Sequence, residues 1–553
     1  MGRLKETLQY VPGIFDAIHF LREPRNELQR YRDYVIFRHQ WKRILESHRT
    51  PFHGRLLVVN PLGNWIAAMK QEGLLVKGAQ LQGLQPIIVT NRGAWVNRYY
   101  RLFGVDDFVY LEDYVSRARK NVVMQEAKEA LKHMQSFDDL MAYQYHGIPI
   151  GNYVASSFVR QKYTGTIDIG DPTIKQQLLS YLLHSMEYVH AATLIYDQYQ
   201  PEATLFMERG YTPYGEFFNI ALQRELNTVQ WCGSHREDAL TLKRYSLQNV
   251  DHHPGALSQK TWDLLLRLRW TPRHEKRLHE ELSTQYASGK WFSEVGTQFG
   301  TQIFEREKVQ RILQLDPSKK TAVIFSHIFW DATFFWGEDL FTDYREWFMA
   351  MVKVACSNSQ LNWVLKLHPA NVVKLIRDGY TGELVEKAAI REAVGTLPPH
   401  VKLLEPSSPI STYSLFSVMD YCFTVRGTIG IEAASFGIPV FTAGTGRYDG
   451  HGFTNDSLTR EEYLQKMSHI HEYPPLSGAQ RELAQKFAYG TFILRPFDLK
   501  SIQNTYRRDK KATLDVTYLF RSPDDLLHAE DVNAFGQWLV HSRDEDYYNP
   551  RLL

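Results

Sequence analysis

Two short patterns in the chain carry side chains that suit an anionic ligand. In the first, Lys-x-His-Pro, Lys366 and His368 stand at the end of a predicted buried strand, 362–367. Pro369 fixes its own φ and keeps His368 extended at the carboxyl end of that strand, where open α/β sheets bind ligands. Lysine and histidine side chains can stabilise a phosphate there. The pattern predicts a phosphate-binding position.

The second pattern, Gly-Thr-x-Gly-x-Glu, begins at Gly427, after a predicted strand at 421–425. Gly427 permits a tight turn, and Thr428 can cap the helix that follows. Glu432 lies one helical turn later on the same face as Thr428. A carboxylate there repels phosphate but accepts hydrogen bonds from the two hydroxyls of a ribose. In the alternative interpretation, Glu432 only stabilises the N-terminus of a helix in an ordinary βαβ unit.

Other polar residues follow predicted strands of the same half of the chain. Ser326 and His327 come directly after Thr321–Phe325, and Ser408 lies in a loop whose hydroxyls suit a base or a ribose. Asp331 stands in the aromatic segment 328–336. It either binds sugar hydroxyls or caps the next helix, and the cap is the simpler interpretation.

Glu208 is the candidate catalytic carboxylate of the first half of the chain. It follows a predicted strand at 203–207 and precedes Arg209 and Gly210. A carboxylate at the carboxyl end of a strand, facing a cleft between domains, is well placed to act as a general acid or base. In the alternative interpretation, Glu208 and Arg209 form ion pairs at the surface beside a turn.

These side chains need a framework of strands that alternate with helices. The first half predicts strands at 55–60, 86–90, 107–111, 203–207 and 228–232, and the second half predicts strands at 321–325, 362–367, 401–404, 421–425 and 438–442. This alternation is typical of parallel Rossmann-type sheets. We expect a helical extension at 1–50, a first Rossmann-like domain at 51–315, a second at 316–500 and a C-terminal extension at 501–553.

The composition excludes several classes of function. A net charge of +2 over 553 residues gives no overall positive field for nucleic acid. No run approaches the roughly 20 apolar residues that span a bilayer, and the first residues lack the apolar core of a signal peptide, so a cytoplasmic protein is expected. Three widely spaced cysteines indicate neither disulfides nor zinc. The segment 251–254, Asp-His-His-Pro, is interpreted as a polar loop, and no metal site is predicted.

Together, Lys-x-His-Pro and the longer pattern Gly-Thr-x-Gly-x-Glu-Ala-x-x-x-Gly-x-Pro resemble the nucleotide-sugar half of GT-B glycosyltransferases. They are most similar to the bacterial capsule polysaccharide biosynthesis proteins, a family that includes transferases of Kdo (3-deoxy-D-manno-octulosonic acid). A Gly-Ile-Pro-Ile-Gly patch with a trailing Arg160, and a Trp-Asp pair at Asp331, are also similar to that family. The resemblance implies two Rossmann-type domains facing across a cleft, the N-terminal one for the acceptor and the C-terminal one for the donor.

The function that the resemblance implies is transfer of a sugar from a nucleotide-sugar donor, CMP-Kdo or a similar compound, to a growing capsular or surface polysaccharide. No metal or other cofactor is expected, and the partners are the donor, a glycan or glycolipid acceptor, and, at the periphery, the inner membrane or a capsule assembly complex. The candidate donor-binding residues are Ser326, His327, Lys366, His368, Pro369, Ser408, Gly427, Thr428 and Glu432, and the candidate catalytic residues are Glu208 and Asp331. Two alternatives remain open, a nucleotide-sugar 2-epimerase on the same fold and a non-catalytic protein of polysaccharide assembly or export.

Overall fold

The N-terminal half of the chain builds a seven-stranded sheet. The computed structural model describes residues 17, 20–48, 50–61, 63, 65–115, 117–292, 302–331, 333–507 and 513–553. The strands of this sheet are β1 Gly54–Val59, β2 Leu84–Thr90, β3 Asp107–Tyr110, β4 Ala203–Phe206, β5 Asn227–Gly233, β6 Ala239–Tyr245 and, from the C-terminal region, Phe497–Asp498. The spatial order is 497–498, β6, β5, β4, β1, β2, β3. The strands β1 to β5 are parallel, whereas β6 and 497–498 pair antiparallel at the edge.

Both faces of this sheet are covered, which explains the nearly continuous apolar sequence of its central strand. In β1, Leu57 and Val59 pack into one hydrophobic cluster, and Leu56 and Val58 pack into another on the opposite face. The helices around the sheet are α1 Pro24–Leu45, α2 Ile66–Leu81, α3 Trp95–Leu102, α4 Arg117–His133, α5 Phe137–Met141, α6 Ile150–Lys162, α7 Pro172–Tyr199 and α8 Tyr214–Gln223.

The second sheet has five strands, all parallel. They are β7 Thr321–Phe325, β8 Asn362–Lys366, β9 Val401–Leu404, β10 Tyr421–Thr424 and β11 Val440–Thr442, in the spatial order β11, β10, β7, β8, β9. This order places β7 in the middle, so the loops after β7, β8 and β10 meet at one edge. The predicted α/β class with two Rossmann-type domains is confirmed.

Ten further helices belong to this half of the chain. They are α9 Gln259–Arg267, α10 Pro272–Ser288, α11 Arg306–Leu313, α12 Tyr344–Ser357, α13 Ala370–Asp378, α14 Val385–Val394, α15 Thr412–Leu415, α16 Ile429–Ser435, α17 Arg460–Ser468 and α18 Gly478–Tyr489. Buried residues of α9, α10 and α11 share one hydrophobic cluster with β7, β10 and α16. The packing therefore places α9, α10 and α11 beside the second sheet.

After α18 the chain returns to the first sheet. A turn of π-helix, Gly490–Leu494, leads to the edge strand β12, Phe497–Asp498. A hairpin of β13 Ile502–Arg507 and β14 Thr513–Tyr518, with helices α19 Pro523–Leu527 and α20 Glu530–His541, then packs on the first domain. The β-branched and aromatic residues of 502–507 and 513–518 favour these two strands.

The chain segments that connect the two domains contact one buried carboxylate, Asp546. It forms ion pairs with Arg495 at 3.0 Å and with Lys243 at 3.1 Å. It also accepts hydrogen bonds from the Ser258 backbone N–H at 2.7 Å and from the Thr261 hydroxyl at 2.8 Å. Burial alone would raise the pKa of Asp546, but these partners together lower it to about 2. We name this cluster the Asp546 junction. In the described residues, no helix is long and apolar enough to cross a membrane.

Candidate functional site

A cavity of about 260 Å³ opens at the carboxyl ends of β7, β8 and β10. The structure brings most of the predicted site residues into its wall: Ser326, His327, Asp331, Lys366, His368, Pro369, Gly427, Thr428 and Glu432. The wall also contains residues from outside the second sheet, among them His253 and Tyr286. Because parallel strands end at a common edge, side chains that are far apart in the sequence meet there.

Lys366 is the last residue of β8, and its side chain is only 5% exposed. Within the described part of the chain, its ammonium group has no hydrogen-bond acceptor and no carboxylate partner. Burial therefore lowers the pKa of Lys366 to about 8. An unpaired buried cation on a cavity wall costs free energy unless an anion enters the cavity.

His368 follows two residues later and is held in one tautomer. Its Nδ1 accepts the Ala370 backbone N–H at 3.2 Å, and its own backbone N–H donates to Ser326 Oγ at 3.0 Å. Burial and the charge of Lys366 lower the pKa of His368 to about 4, so the imidazole is neutral near pH 7. With Nδ1 accepting, the proton lies on Nε2, which is left as a hydrogen-bond donor for a ligand.

In His327 it is Nε2, and not Nδ1, that accepts a backbone N–H. Its Nε2 accepts the Val425 backbone N–H at 3.1 Å and lies 3.2 Å from Thr424 Oγ1. Burial holds its pKa well below the ordinary value. The proton therefore lies on Nδ1. His327 ties the loop after β7 to the end of β10, and Ser326 holds the backbone of His368, so both residues support the cavity wall.

Glu432 is buried one turn into α16. Its Oε2 accepts a hydrogen bond from Tyr286 Oη at 2.5 Å, and the Thr428 side chain also hydrogen-bonds to this carboxyl group. Burial raises the pKa of Glu432 to about 7. The Tyr286 ring stacks on Trp291 with ring centroids 5.0 Å apart. The carboxyl group thus lies beside the stacked rings of Tyr286 and Trp291, which no local sequence pattern predicted.

Two corrections concern the turn before α16. Thr428 makes no capping hydrogen bond, because its backbone is already helical and its side chain reaches Glu432 instead. Gly427 does not have a positive φ. Its lack of a side chain matters for space, since a Cβ there would lie 2.9 Å from Thr424 Oγ1 and 3.7 Å from His327 Cε1.

Arg447 is a second cation of the cavity wall, in the glycine-rich segment after β11. Its Nη1 donates to the Arg426 carbonyl at 3.1 Å, and no ion pair joins it to a described carboxylate. Burial lowers the pKa of Arg447 to about 10. Arg426, by contrast, is paired with Asp339 at 2.6 Å. Lys366 and Arg447 thus place two cations on the cavity wall, and the charge of Glu432 acts on Arg447.

Asp331 lines the cavity, but its carboxylate is occupied. Oδ2 pairs with Lys374, and Oδ1 accepts the Tyr211 hydroxyl at 3.0 Å and lies 3.5 Å from Arg160 Nε. Arg160 and Tyr211 belong to the first domain, so this cluster crosses the interface. The helix cap expected of Asp331 is wrong. Asp343 caps α12 instead, accepting the Glu346 backbone N–H at 2.7 Å.

Glu208 lies at the same interface but not in the cavity wall. Its Oε1 accepts the backbone N–H groups of Arg209 at 2.7 Å and Gly210 at 3.0 Å. Burial raises the pKa of Glu208 above its ordinary value, and the charges of Arg209 and Lys374 oppose that rise. Its Oε2 has no hydrogen-bond partner among the residues that the structure describes. Arg209 is buried and donates to the Val250 and His252 carbonyls, so the predicted surface pair does not form.

Ser408 is the other predicted residue outside the cavity wall. Its hydroxyl accepts the Ile410 backbone N–H at 3.2 Å and so stabilises the turn before α15. Thr412, four residues later, lines the cavity in its place. The loop after β9 thus contributes to the site through the start of a helix and not through its serines.

Sequence reasoning missed several residues of the wall: His253, Tyr286, Trp291, Phe292, Trp336, Tyr344, Thr412, Arg426 and Arg447. Arg447 had a local signal, an arginine in a run of glycines directly after a strand. Tyr286 and Trp291 had none, because they lie at the end of α10 and just after it, about 140 residues before Glu432. Among the described residues, no three His, Cys, Asp or Glu side chains lie close enough together to hold a metal ion.

No protein-family model and no curated protein matches the chain. Several solved structures share part of its chain arrangement. UDP-GlcNAc 2-epimerase from Neisseria meningitidis, bound to UDP-GlcNAc, is 10% identical over 79% of this chain and 97% of that chain, with a TM-score of 0.27. KpsC from Thermosulfurimonas dismutans, a β-Kdo 2,4 transferase, is 14% identical over 59% and 87%, with a TM-score of 0.32.

CalG4, the calicheamicin glycosyltransferase, is 15% identical over 79% of this chain and 94% of that chain, with a TM-score of 0.28. Similarities this weak do not identify a function for the chain.

Proposed function

We propose that the chain is a glycosyltransferase whose cavity binds a nucleotide-sugar donor. The observation that carries the proposal is the buried ammonium group of Lys366, which has no partner among the described residues and stands beside the Nε2–H of His368. A cation and a neutral donor on one wall suit the phosphate that joins nucleotide and sugar. The resemblance of the motifs to the capsule polysaccharide family points the same way.

The rest of the cavity suits the nucleoside. Glu432 can accept hydrogen bonds from ribose hydroxyls, and the stacked rings of Tyr286 and Trp291 offer an apolar face to a base. Arg447 supplies a second positive charge for the phosphate region or for an acidic sugar. CMP-Kdo, with one phosphate and one carboxylate, is a donor of this kind.

The proposed reaction joins an acceptor hydroxyl to the anomeric carbon of the donor sugar while the bond from that carbon to the phosphate oxygen breaks. Lys366 and His368 stabilise the negative charge that forms on the departing phosphate, and no step requires a metal. A carboxylate from the first domain takes the hydroxyl proton. The acceptor is proposed to be a capsular or related surface glycan, or its lipid-linked form.

Thermal unfolding with a panel of CMP-, UDP-, GDP- and dTDP-sugars tests the binding step. A ligand that binds only the native state raises the melting temperature. One donor class should do so in the wild-type protein and not in Lys366→Met. No shift with any nucleotide or nucleotide sugar would favour a non-catalytic role in polysaccharide assembly or export. Release of free sugar epimer and nucleotide without an acceptor would favour the 2-epimerase.

His368→Ala should weaken donor binding about tenfold, the usual effect of losing one well-placed hydrogen bond to a charged group. Because the imidazole is already neutral, this loss should be the same at pH 6 and at pH 8. Isothermal titration calorimetry measures it. His469→Ala, an exposed histidine of the same domain, is the matched control. Unchanged affinity in a folded His368→Ala protein would remove this residue from the phosphate site.

Donor affinity should have a narrow optimum between about pH 7 and pH 8. Affinity should rise with pH as Glu432, with a pKa of about 7, becomes the anion that accepts ribose hydroxyls. It should fall above about pH 8 as Lys366 loses the proton that pairs with phosphate. Glu432→Gln should abolish the rising limb and leave inorganic phosphate binding unchanged. A wild-type profile that is flat from pH 6 to pH 9 would contradict both assignments.

A further inference from the structure

Helix α1 has two different apolar faces, and only one of them is covered. Phe37 and Trp41 on the inner face are buried, with ring centroids 5.2 Å from Tyr99 and 5.4 Å from Tyr518. This face explains why the helix packs on the first domain. The opposite face is exposed to solvent and contains apolar residues as well.

The outward face follows from helical geometry. At 100° per residue, Leu28 and Val35 project about opposite to Phe37. Ile36 lies about 80° from Leu28, at the side of this outward face. Leu28 is 58% exposed and Ile36 is 54% exposed, and Tyr31 and Val35 are exposed too. Exposed apolar residues that group on one face of a helix form the kind of patch that can bind a partner.

The charge of this face decides which partner it fits. Pro24–Leu45 contains six Lys or Arg residues and two acidic residues. One acid, Glu27, is turned inward, where it pairs with Arg30 and accepts the Trp95 indole N–H at 2.9 Å. The exposed cations Arg25, Arg32, Arg38 and Arg43 therefore stand among the exposed apolar residues, whereas Lys42 pairs with Glu46 at 3.7 Å.

We propose that α1 docks the protein on a membrane surface that carries anionic lipids. Leu28, Val35 and Ile36 enter the boundary between headgroups and acyl chains, while Arg25 and Arg32 beside them meet lipid phosphates. A helix of 22 residues lies along the surface for about 33 Å. A single convex helix with mixed apolar and basic residues matches a broad, fluid, negatively charged surface better than a shaped protein groove. The inference is independent of the activity of the cavity.

Vesicle flotation of the full-length protein tests the proposal. Wild-type protein should float with phosphatidylcholine vesicles that contain phosphatidylglycerol and much less with phosphatidylcholine alone. Leu28→Asp/Ile36→Asp and Arg25→Glu/Arg32→Glu should each reduce the bound fraction by about tenfold or more. Leu458→Asp is the matched control, because Leu458 is 91% exposed far along the chain from α1. It should float like the wild-type protein. Melting temperatures check that all variants are folded.

Three results would overturn the proposal. One is wild-type protein that stays unbound with both kinds of vesicle. Another is equal loss of binding in Leu458→Asp and in the α1 variants. That result would mean that a negative charge added at any surface position reduces vesicle binding. The third is a wild-type dimer in size-exclusion chromatography that Leu28→Asp/Ile36→Asp splits while flotation is unchanged. That result would assign the face to a second copy of the chain.

Discussion

Replacing Lys366 with methionine should weaken donor binding about 100-fold, because the proposed phosphate would lose the ammonium group that pairs with it. The same change should make the protein without donor more stable. A buried unpaired ammonium costs free energy, and methionine has a similar length without the charge. Opposite effects on binding and on stability distinguish a ligand-binding lysine from a structural one, since loss of a structural lysine would weaken both.

The pH dependence of stability gives a second measure of Lys366. Its pKa is about 8 in the folded protein, against 10.5 for the ordinary group. Between these values the unfolded chain holds more protons, so stability gains from rising pH. The excess stability of Lys366→Met should be up to about 3 kcal/mol at pH 7 and should shrink as pH rises from 8 to 10.5.

Urea unfolding of the wild-type protein and the variant across that pH range measures the difference, and calorimetry measures donor affinity. Lys353→Met, on the exposed side of α12, is the control and should change neither quantity. Wild-type donor affinity in Lys366→Met would leave the proposed phosphate site without its main charge.

The second large effect is expected at Glu208. Glu208→Gln should lower turnover by about 10² to 10⁴-fold, the usual contribution of a general base, while donor affinity stays within a few-fold. Two backbone N–H groups hold Oε1, and Oε2 is available to an acceptor hydroxyl. Burial raises the pKa of Glu208, which makes the carboxylate a stronger base.

Asp331→Asn is the comparison that decides the assignment. Asp331 lines the cavity, but Lys374, Tyr211 and Arg160 already surround both of its oxygens, so it is poorly placed to take a proton. We expect its loss to loosen the domain interface and to lower turnover by about tenfold or less. Single-turnover kinetics with saturating donor separates the two variants. A large loss in Asp331→Asn with near-normal turnover in Glu208→Gln would transfer the role to Asp331.

The sequence predicted the parallel strands of both sheets because each is a short, continuous apolar run between turn residues. Thr321–Phe325 and Val401–Leu404 have the bounds that the pattern indicates. The antiparallel strand Ala239–Tyr245 was not predicted, since its apolar residues are interrupted by polar ones. Parallel sheets also gather the residues that follow their strands, which is why Lys366, His368 and Glu432 could be placed on one cavity from sequence alone.

What the sequence could not supply depends on contacts between distant segments. Tyr286 reaches Glu432 only because α10 packs against the second sheet. The contacts of Asp331 also depend on distant segments. Its partners Arg160 and Tyr211 lie in the first domain and reach it only because the two sheets face each other. Ser408 lies outside the cavity wall for a local reason. Its hydroxyl accepts a backbone N–H, as is common for a serine before a helix.

The Asp546 junction has a mechanical consequence. It joins the segment near Ser258, the return segment at Arg495 and the C-terminal segment at a single buried point. A change at Asp546 therefore acts on all three connections at once. With a pKa of about 2, Asp546 stays charged throughout the range in which Glu432 and Lys366 titrate. Changes of pH near neutrality therefore act on the groups proposed to bind the donor and leave the ion pairs of the Asp546 junction intact.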